Sequence, residues 1–175
     1  SDHFRQKDFR RFLSSLSRET SLLGDWFDHG VFRDKGKVGG FELEAWLVDV
    51  NGQPRAINEP YLNLTEAFGS PVVAELSRFN VEINSEPRNL QGKVLSQMHD
   101  ELKNTWQQCC GLAKQLDASL MMTGILPTIK DSELILANMS DVKRFRALNE
   151  QVLRLRNGRP LEIDIQGSEA LKMSH

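Results

Sequence analysis

Apolar residues recur in three parts of the chain at the spacing that places them on one side of an α-helix. They are about 3.6 positions apart, the helical repeat, in residues 3–28, 91–117 and 141–156. Ser140 directly precedes the third stretch, and serine is favoured at the start of a helix because its hydroxyl accepts a backbone N–H. We therefore predict three amphipathic helices, the third with Ser140 as its N-cap and Asn157-Gly158 at its end.

Other parts of the chain alternate apolar and polar residues, or carry short apolar runs between turn residues, and these patterns predict β-strands. The predicted strands are residues 38–50, 79–86, 120–125 and 161–165. Asn51-Gly52 follows the first of them and predicts a hairpin turn, because this pair tolerates positive φ angles. Residues 60–69 and 71–78 follow no single period, and we expect helix in part of them. Strands separated along the chain by helices predict an α+β fold with an antiparallel or mixed sheet.

Length and composition are those of one ordinary globular domain or subdomain, with residues 1–37 as a helical lead-in. The chain has 175 residues, of which 39% are hydrophobic and 26% are charged. Its 22 Lys and Arg residues nearly balance its 24 Asp and Glu residues, so the net charge of −2 predicts neither a nucleic-acid nor a membrane partner. Cys109 and Cys110 are adjacent within a predicted helix, where they cannot easily bridge each other. Two lone thiols predict a reducing compartment, the cytosol.

Two of the predicted strands carry acidic side chains on one face. Glu42 and Glu44 are two positions apart, so they point to the same side of the first strand. The opposite, core-facing side is expected to hold Phe41, Leu43, Ala45 and Leu47. In the second strand Glu82, Asn84 and Glu86 share a face in the same way. Antiparallel sheets commonly have one face in water, so two separately solvated rows of glutamates would need no further explanation.

A second interpretation applies if the two strands are neighbours. Glu42, Glu44, Glu82 and Glu86 would then crowd together, and their repulsion would call for a cation among them. Oxygen ligands of this kind suit Mg²⁺ or Mn²⁺, which in proteins commonly serve nucleotide phosphates. The sequence has none of the Gly-rich motifs that cradle phosphates in the P-loop and dinucleotide-binding folds. The residue pattern leaves the solvated face and the metal site both open.

Four stretches, in order, resemble the glutamate–cysteine ligase type 2 family. The first is a Gly-x-Glu-x-Glu strand, the second an acidic strand, the third a Gly-x-x-Pro turn and the fourth an Arg-Tyr-x-x-Leu helix, here with Phe145 in place of Tyr. These stretches are Gly40–Glu44, Glu75–Pro87, Thr123–Thr128 and Lys143–Asn149. The resemblance extends from about Val38 to Gly167.

The resemblance implies a glutamine-synthetase-like catalytic fold and an ATP-dependent carboxylate–amine ligase. The substrates would be amino acids, with glutamate as the carboxylate and an amine such as cysteine. ATP phosphorylates the carboxylate to an acyl phosphate, and the amine then displaces phosphate. ATP and Mg²⁺ or Mn²⁺ are the cofactors that this chemistry needs, because the divalent cation offsets the repulsion between a carboxylate and a triphosphate.

The same resemblance assigns roles to individual residues. The implied metal ligands are Glu42, Glu44 and Glu82, with Glu75 as a further candidate. Cofactor contacts fall on Asn84, Glu86 and Thr123, the last at a turn where Gly124 would let the backbone approach a ligand. The catalytic residues are Arg144 and Arg146, since the planar guanidinium suits a phosphate or a substrate carboxylate. Three of these residues also have a purely structural interpretation. Thr123 could simply lie in a turn at the end of a strand, and Arg144 and Arg146 could be exposed charges on a helix surface.

The catalytic domain of that family is considerably longer than this chain, which implies that the chain is either an N-terminal portion or a reduced form, and in both cases we do not expect this length of chain to be active alone. Exposed edges of an incomplete sheet predict self-association into a homo-oligomer. Two other function classes compete with the ligase. One is a module that keeps the fold and binds a metal or ligand without turnover. The other is a structural or interaction domain whose glutamates are solvated.

Overall fold

Helices and strands alternate along the computed structural model, which describes residues 4–32, 36–159 and 162–174. Within these ranges the α-helices are α1 (Gln6–Asp28), α2 (Asn58–Ala67), α3 (Val94–Lys114) and α4 (Lys143–Leu155). The strands are β1 (Val38–Gly39), β2 (Glu42–Val48), β3 (Val72–Ala74), β4 (Asn80–Asn84), β5 (Arg88–Asn89), β6 (Ser119–Met121), β7 (Glu162–Gln166) and β8 (Ala170–Ser174). Two short 3-10 helices are Asp131–Glu133 and Leu136–Asn138. The mixture confirms the α+β class expected from the sequence.

The chain divides into two compact units. The larger unit is Gly24–Ser140, and the smaller unit combines Ser1–Leu23 with Asp141–His175. Helix α1 contributes residues to both units, because the division falls between Leu23 and Gly24.

The larger unit contains a four-stranded sheet in the order β3-β4-β2-β6, and every neighbouring pair is antiparallel. In the central pair, β2 and β4, Leu43 lies opposite Ile83 and Ala45 lies opposite Val81. Apolar residues therefore face apolar residues across this ladder, on the side that becomes the core.

Helices α2 and α3 supply the other half of the core. Tyr61 of α2 is fully buried, and its hydroxyl donates a hydrogen bond of 3.0 Å to the backbone oxygen of Cys109 in α3. This bond satisfies a polar group that would otherwise be buried without a partner. The buried cluster consists of Ala45, Leu47, Tyr61, Val81, Ile83, Cys109, Leu112, Ala113 and Ala118.

The prediction of the first strand is correct for its middle residues and wrong for its first residues. Ala45 and Leu47 are fully buried, as expected, and Leu43 packs partly buried against them. Phe41 does not face the core and remains 44% exposed. The strand is interrupted at Gly40-Phe41, because the preceding β1 pairs with β5 instead of continuing in the four-stranded sheet.

The predicted turn at Asn51-Gly52 is present, and Gly52 has the positive φ of 72° that favours glycine. The ambiguous stretch at 60–69 belongs to α2, whereas 71–78 contains the short strand β3 and no α-helix. The last predicted strand corresponds to β7, although its first residue, Leu161, lies outside the described residues. Strand β8, which forms a hairpin with β7, was not expected from the sequence.

Ser140 is not the N-cap of the helix that follows it. Helix α4 begins at Lys143, and its N-cap residue, Val142, forms no capping hydrogen bond through its side chain. Ser140 is instead buried, with 1% of its surface exposed, and its hydroxyl is bonded to Asn58 and to the backbone of Glu75. No helix in the described ranges combines the length and the hydropathy needed to cross a membrane.

Candidate metal centre

The pairing of β2 with β4 brings glutamates of the two strands together. Glu44 lies directly opposite Glu82, and Glu42 lies opposite Asn84. Directly opposite residues of an antiparallel pair point to the same face, with Cβ atoms roughly 5 Å apart. This face is the one opposite the buried cluster, because both glutamates alternate with the core residues of their strands.

Glu75, the residue directly after β3, joins them. Val73 of β3 lies opposite Glu82, and Glu75 follows β3 directly. One carboxylate oxygen from each of Glu44, Glu75 and Glu82 lies within 4.8 Å of the others, and we call these three residues the acidic cluster. Glu44 is exposed, whereas Glu75 and Glu82 are half-buried.

The hydrogen bonds of the acidic cluster come from neutral donors. The side-chain amide of Asn84 donates to Glu82 Oε1 over 2.9 Å, and the backbone N–H of Leu76 donates to Glu75 Oε2 over 2.8 Å. In the part of the chain that the structure describes, no lysine or arginine forms an ion pair with these three glutamates. Among the described residues, the carboxylates of Glu75 and Glu82 are therefore bonded to neutral groups and not to a cationic side chain.

One predicted metal ligand, Glu42, and one predicted cofactor contact, Glu86, do not belong to the acidic cluster. Glu42 is exposed and belongs to the rim of an open depression of about 550 Å³, which Asn84 and Ser85 also line. Glu86 is exposed beyond the end of β4. Of the expected metal ligands, Glu44 and Glu82 are therefore brought together, and the third carboxylate is that of Glu75.

The turn that contains Thr123 is tied to β2. The indole N–H of Trp46 donates a hydrogen bond of 3.1 Å to the backbone oxygen of Gly124. The ring of Trp46 also stacks on Phe79, with centroids 5.4 Å apart and planes 10° apart. Trp46 is two residues from Glu44 on the same face of β2, so it connects this turn to the face that carries the acidic cluster. Thr123 itself is half-buried.

The two candidate arginines lie on α4 in the smaller unit, where both are exposed. Arg146 forms an ion pair with Asp141. The guanidinium of Arg144 lies 4.8 Å from the centroid of the Phe145 ring, a cation–π distance. Both contacts have the character of exposed helix-surface interactions, which contribute little to stability.

The two cysteines are free thiols, and Cys109 is buried in the core. Burial raises the pKa of both thiols, so their nucleophilic thiolate form is disfavoured.

The donor set of the acidic cluster fits a small, hard divalent cation. Oxygens bound to one Mg²⁺ at about 2.1 Å are roughly 3 to 4 Å apart, so small side-chain rotations would bring the three carboxylates to one ion. Carboxylate oxygen is also the ligand type that favours Mg²⁺ or Mn²⁺ over zinc and copper.

Comparisons of the chain with protein-family models, curated proteins and solved structures found no match.

Proposed function

We propose that the acidic cluster binds Mg²⁺ or Mn²⁺, and that the chain is the cation-binding portion of an ATP-dependent carboxylate–amine ligase. The observation that carries the proposal is the approach of three carboxylate oxygens to within 4.8 Å of one another. Like charges at this separation repel, and a divalent cation is the partner that converts the repulsion into attraction. Exposed acidic groups are also common without an ion, so a solvated acidic face is the alternative that the titration below must exclude.

The ligase part of the proposal is supported by the four stretches that resemble the glutamate–cysteine ligase type 2 family, with its glutamine-synthetase-like fold. In this reaction an oxygen of the substrate carboxylate attacks the γ-phosphorus of ATP, and ADP leaves. The amine nitrogen then attacks the acyl carbon, phosphate leaves with the bonding electrons, and the nitrogen loses a proton. A bound divalent cation would neutralise phosphate oxygens during the first step.

Individual residues of the chain would then bind the cation, orient its ligands and bind the anionic groups of the substrates. Glu44, Glu75 and Glu82 would hold the cation, and Asn84 would orient Glu82 through its amide hydrogen bond. Arg144 and Arg146 are proposed to grip a phosphate or the substrate carboxylate, which in the case of Arg146 requires release from Asp141.

The partners proposed are small molecules, namely ATP and two amino-acid substrates. The net charge of −2 gives the chain no electrostatic preference for nucleic acid or for an anionic lipid surface. We also propose a cytosolic location, because both cysteines are free thiols.

Cation binding is tested by titrating Mn²⁺ into the wild-type chain and into a Glu44→Gln, Glu82→Gln double variant. We expect one Mn²⁺ site in the wild type and at least about a tenfold weaker affinity in the variant, because two of three charged ligands are lost. The matched control is Glu59→Gln, Glu66→Gln, which removes two exposed charges of α2 in the same unit and should bind like the wild type. Equal affinity in all three proteins would show that the glutamates are solvated.

Turnover is tested by ADP release from Mg²⁺-ATP with glutamate and a panel of amines that includes cysteine, using the longest natural form of the protein. ADP release that requires one particular substrate pair would establish the ligase. Binding of cation and nucleotide without ADP release from any pair would favour the alternative, a binding module that retains the fold.

A further inference from the structure

A buried polar pair, Asn58 and Ser140, is bonded to the segment that carries Glu75. Only 3% of Asn58 and 1% of Ser140 is exposed. The side-chain amide of Asn58 donates to Ser140 Oγ over 2.7 Å, and the Ser140 hydroxyl in turn donates to the backbone oxygen of Glu75. A chain of two hydrogen bonds therefore links the start of α2 to the backbone of one member of the acidic cluster.

Backbone hydrogen bonds hold the rest of this segment, residues 75–78. The Ser140 N–H donates to the Leu76 oxygen over 2.9 Å, and the Arg78 N–H donates to the Asn138 oxygen over 2.7 Å. On the other side, the Asn58 N–H donates to the Arg78 oxygen over 2.9 Å. Residues 75–78 are thus held between the start of α2 and residues 138–140.

Glu75 depends on these bonds more than the other two glutamates do. Glu44 and Glu82 are fixed by the ladder between β2 and β4, whereas Glu75 lies beyond the last paired residue of β3, Ala74. A buried hydroxyl or amide is costly to leave unsatisfied, so Ser140 and Asn58 favour the backbone position in which the Glu75 oxygen accepts.

We propose that Ser140 and Asn58 are positioning residues for the acidic cluster. They fix the backbone of Glu75 so that its carboxylate reaches those of Glu44 and Glu82. The inference rests on the cation-binding function proposed above and adds two residues that touch no cation themselves.

The test is the Mn²⁺ affinity of Ser140→Ala and Asn58→Ala, measured from the electron paramagnetic resonance signal of free Mn²⁺. In Ser140→Ala the hydrogen bond to Glu75 is lost, and we expect roughly tenfold weaker binding, the low end of the range for residues that orient ligands. In Asn58→Ala the Ser140 hydroxyl still donates to Glu75, so the affinity should fall by a smaller factor.

Two controls separate positioning from a general loss of stability. Thr65→Val removes a buried hydroxyl whose hydrogen bond, 2.9 Å long, goes to the Leu62 oxygen within α2 and not to Glu75. Ser70→Ala removes a buried hydroxyl that has no hydrogen-bond partner among the described residues. Both should bind Mn²⁺ with wild-type affinity at a temperature where all the variants are folded.

Each outcome of these measurements either supports or overturns the positioning role of Ser140 and Asn58. Weaker binding in the order Ser140→Ala, then Asn58→Ala, with both controls unchanged, supports the positioning role. If the wild type binds Mn²⁺ and Ser140→Ala binds equally well, the inference fails while the cation site stands. If the wild type does not bind, the proposed function fails and the inference with it. Should Ser140→Ala not fold, Asn58→Ala decides, and unchanged affinity there overturns the inference.

Discussion

Glu44 and Glu82 lie opposite each other in the two central strands, and Glu75, just after β3, adds a third carboxylate. Like charges placed directly opposite in a sheet destabilise it. A sequence that keeps such a local conflict generally does so where function requires it. Removing one of these charges should therefore raise the free energy of unfolding when no cation is bound and lower it when a cation is bound.

Glu44→Gln is expected to stabilise the protein in the presence of a chelator, by roughly 0.2–1 kcal/mol, because a cross-strand repulsion is removed. With saturating Mn²⁺ the order should reverse, since the wild type gains more binding free energy than the variant. Urea unfolding with EDTA and with Mn²⁺ measures both. A variant that is less stable than the wild type in EDTA would contradict this account of the acidic cluster.

Asp49 gives a second prediction at this scale, on the turn after β2. Its Oδ1 accepts the backbone N–H of Gln53 over 2.9 Å and that of Asn51 over 2.8 Å. These bonds, with the one from Gln53 as the largest cause, lower the pKa of Asp49 below its ordinary value. A lowered folded pKa contributes stability that is complete above the unfolded pKa and is lost as the pH falls through the folded pKa.

Asp49→Asn should therefore be less stable than the wild type at about pH 6, and the difference should shrink as the pH falls below about 4, the unfolded pKa of aspartate. Urea unfolding of both proteins across this range measures the difference. If the difference in the free energy of unfolding stays constant with pH, the charge of Asp49 does not stabilise the turn.

At the scale of the element, the alternation of apolar and polar residues predicted β2 and β4 and the acidic face of each strand. It did not predict how the two strands pair or where each strand begins and ends. The register follows from the core, since Leu43 meets Ile83 and Ala45 meets Val81, and this sets Glu44 against Glu82. The break at Gly40-Phe41 and the burial of Ser140 could not be predicted. They depend on which distant segment supplies a hydrogen-bond partner, and a local pattern carries no such information.

Leu47 tests the packing of β2, because it is fully buried in the core cluster. Leu47→Ala should lower the free energy of unfolding by about 2–5 kcal/mol, through lost apolar burial and the cavity left behind. Val50→Ala is the control: Val50 is 93% exposed two residues after β2 and should change stability by no more than about 0.5 kcal/mol. Urea unfolding measures both, and similar small effects would show that β2 is not a core strand.

At the scale of the whole molecule, the core cluster and the acidic cluster both belong to the larger unit, Gly24–Ser140. Neither α1 nor α4 has a buried side chain, and these helices supply much of the smaller unit. The sequence did not reveal this division, because the apolar periods of α1 and α4 are as regular as that of α3, which packs in the core.

A protein of residues 24–140 should accordingly unfold in one cooperative transition and bind Mn²⁺ with the affinity of the full chain. The reason is that its core and its three glutamates lie entirely within that range. Urea unfolding and a Mn²⁺ titration measure the two properties. A gradual transition without a midpoint would show that the larger unit needs the rest of the chain.

The central claim is that one cation sits among Glu44, Glu75 and Glu82, and paramagnetic broadening of backbone amide signals by Mn²⁺ tests it most directly. Broadening falls off steeply with distance from the ion, so it locates the site without any assumption about the reaction. We expect substoichiometric Mn²⁺ to broaden the amides of these three glutamates more strongly than those of the other acidic residues. Uniform broadening, or broadening centred on other acidic residues, would contradict the proposed metal centre.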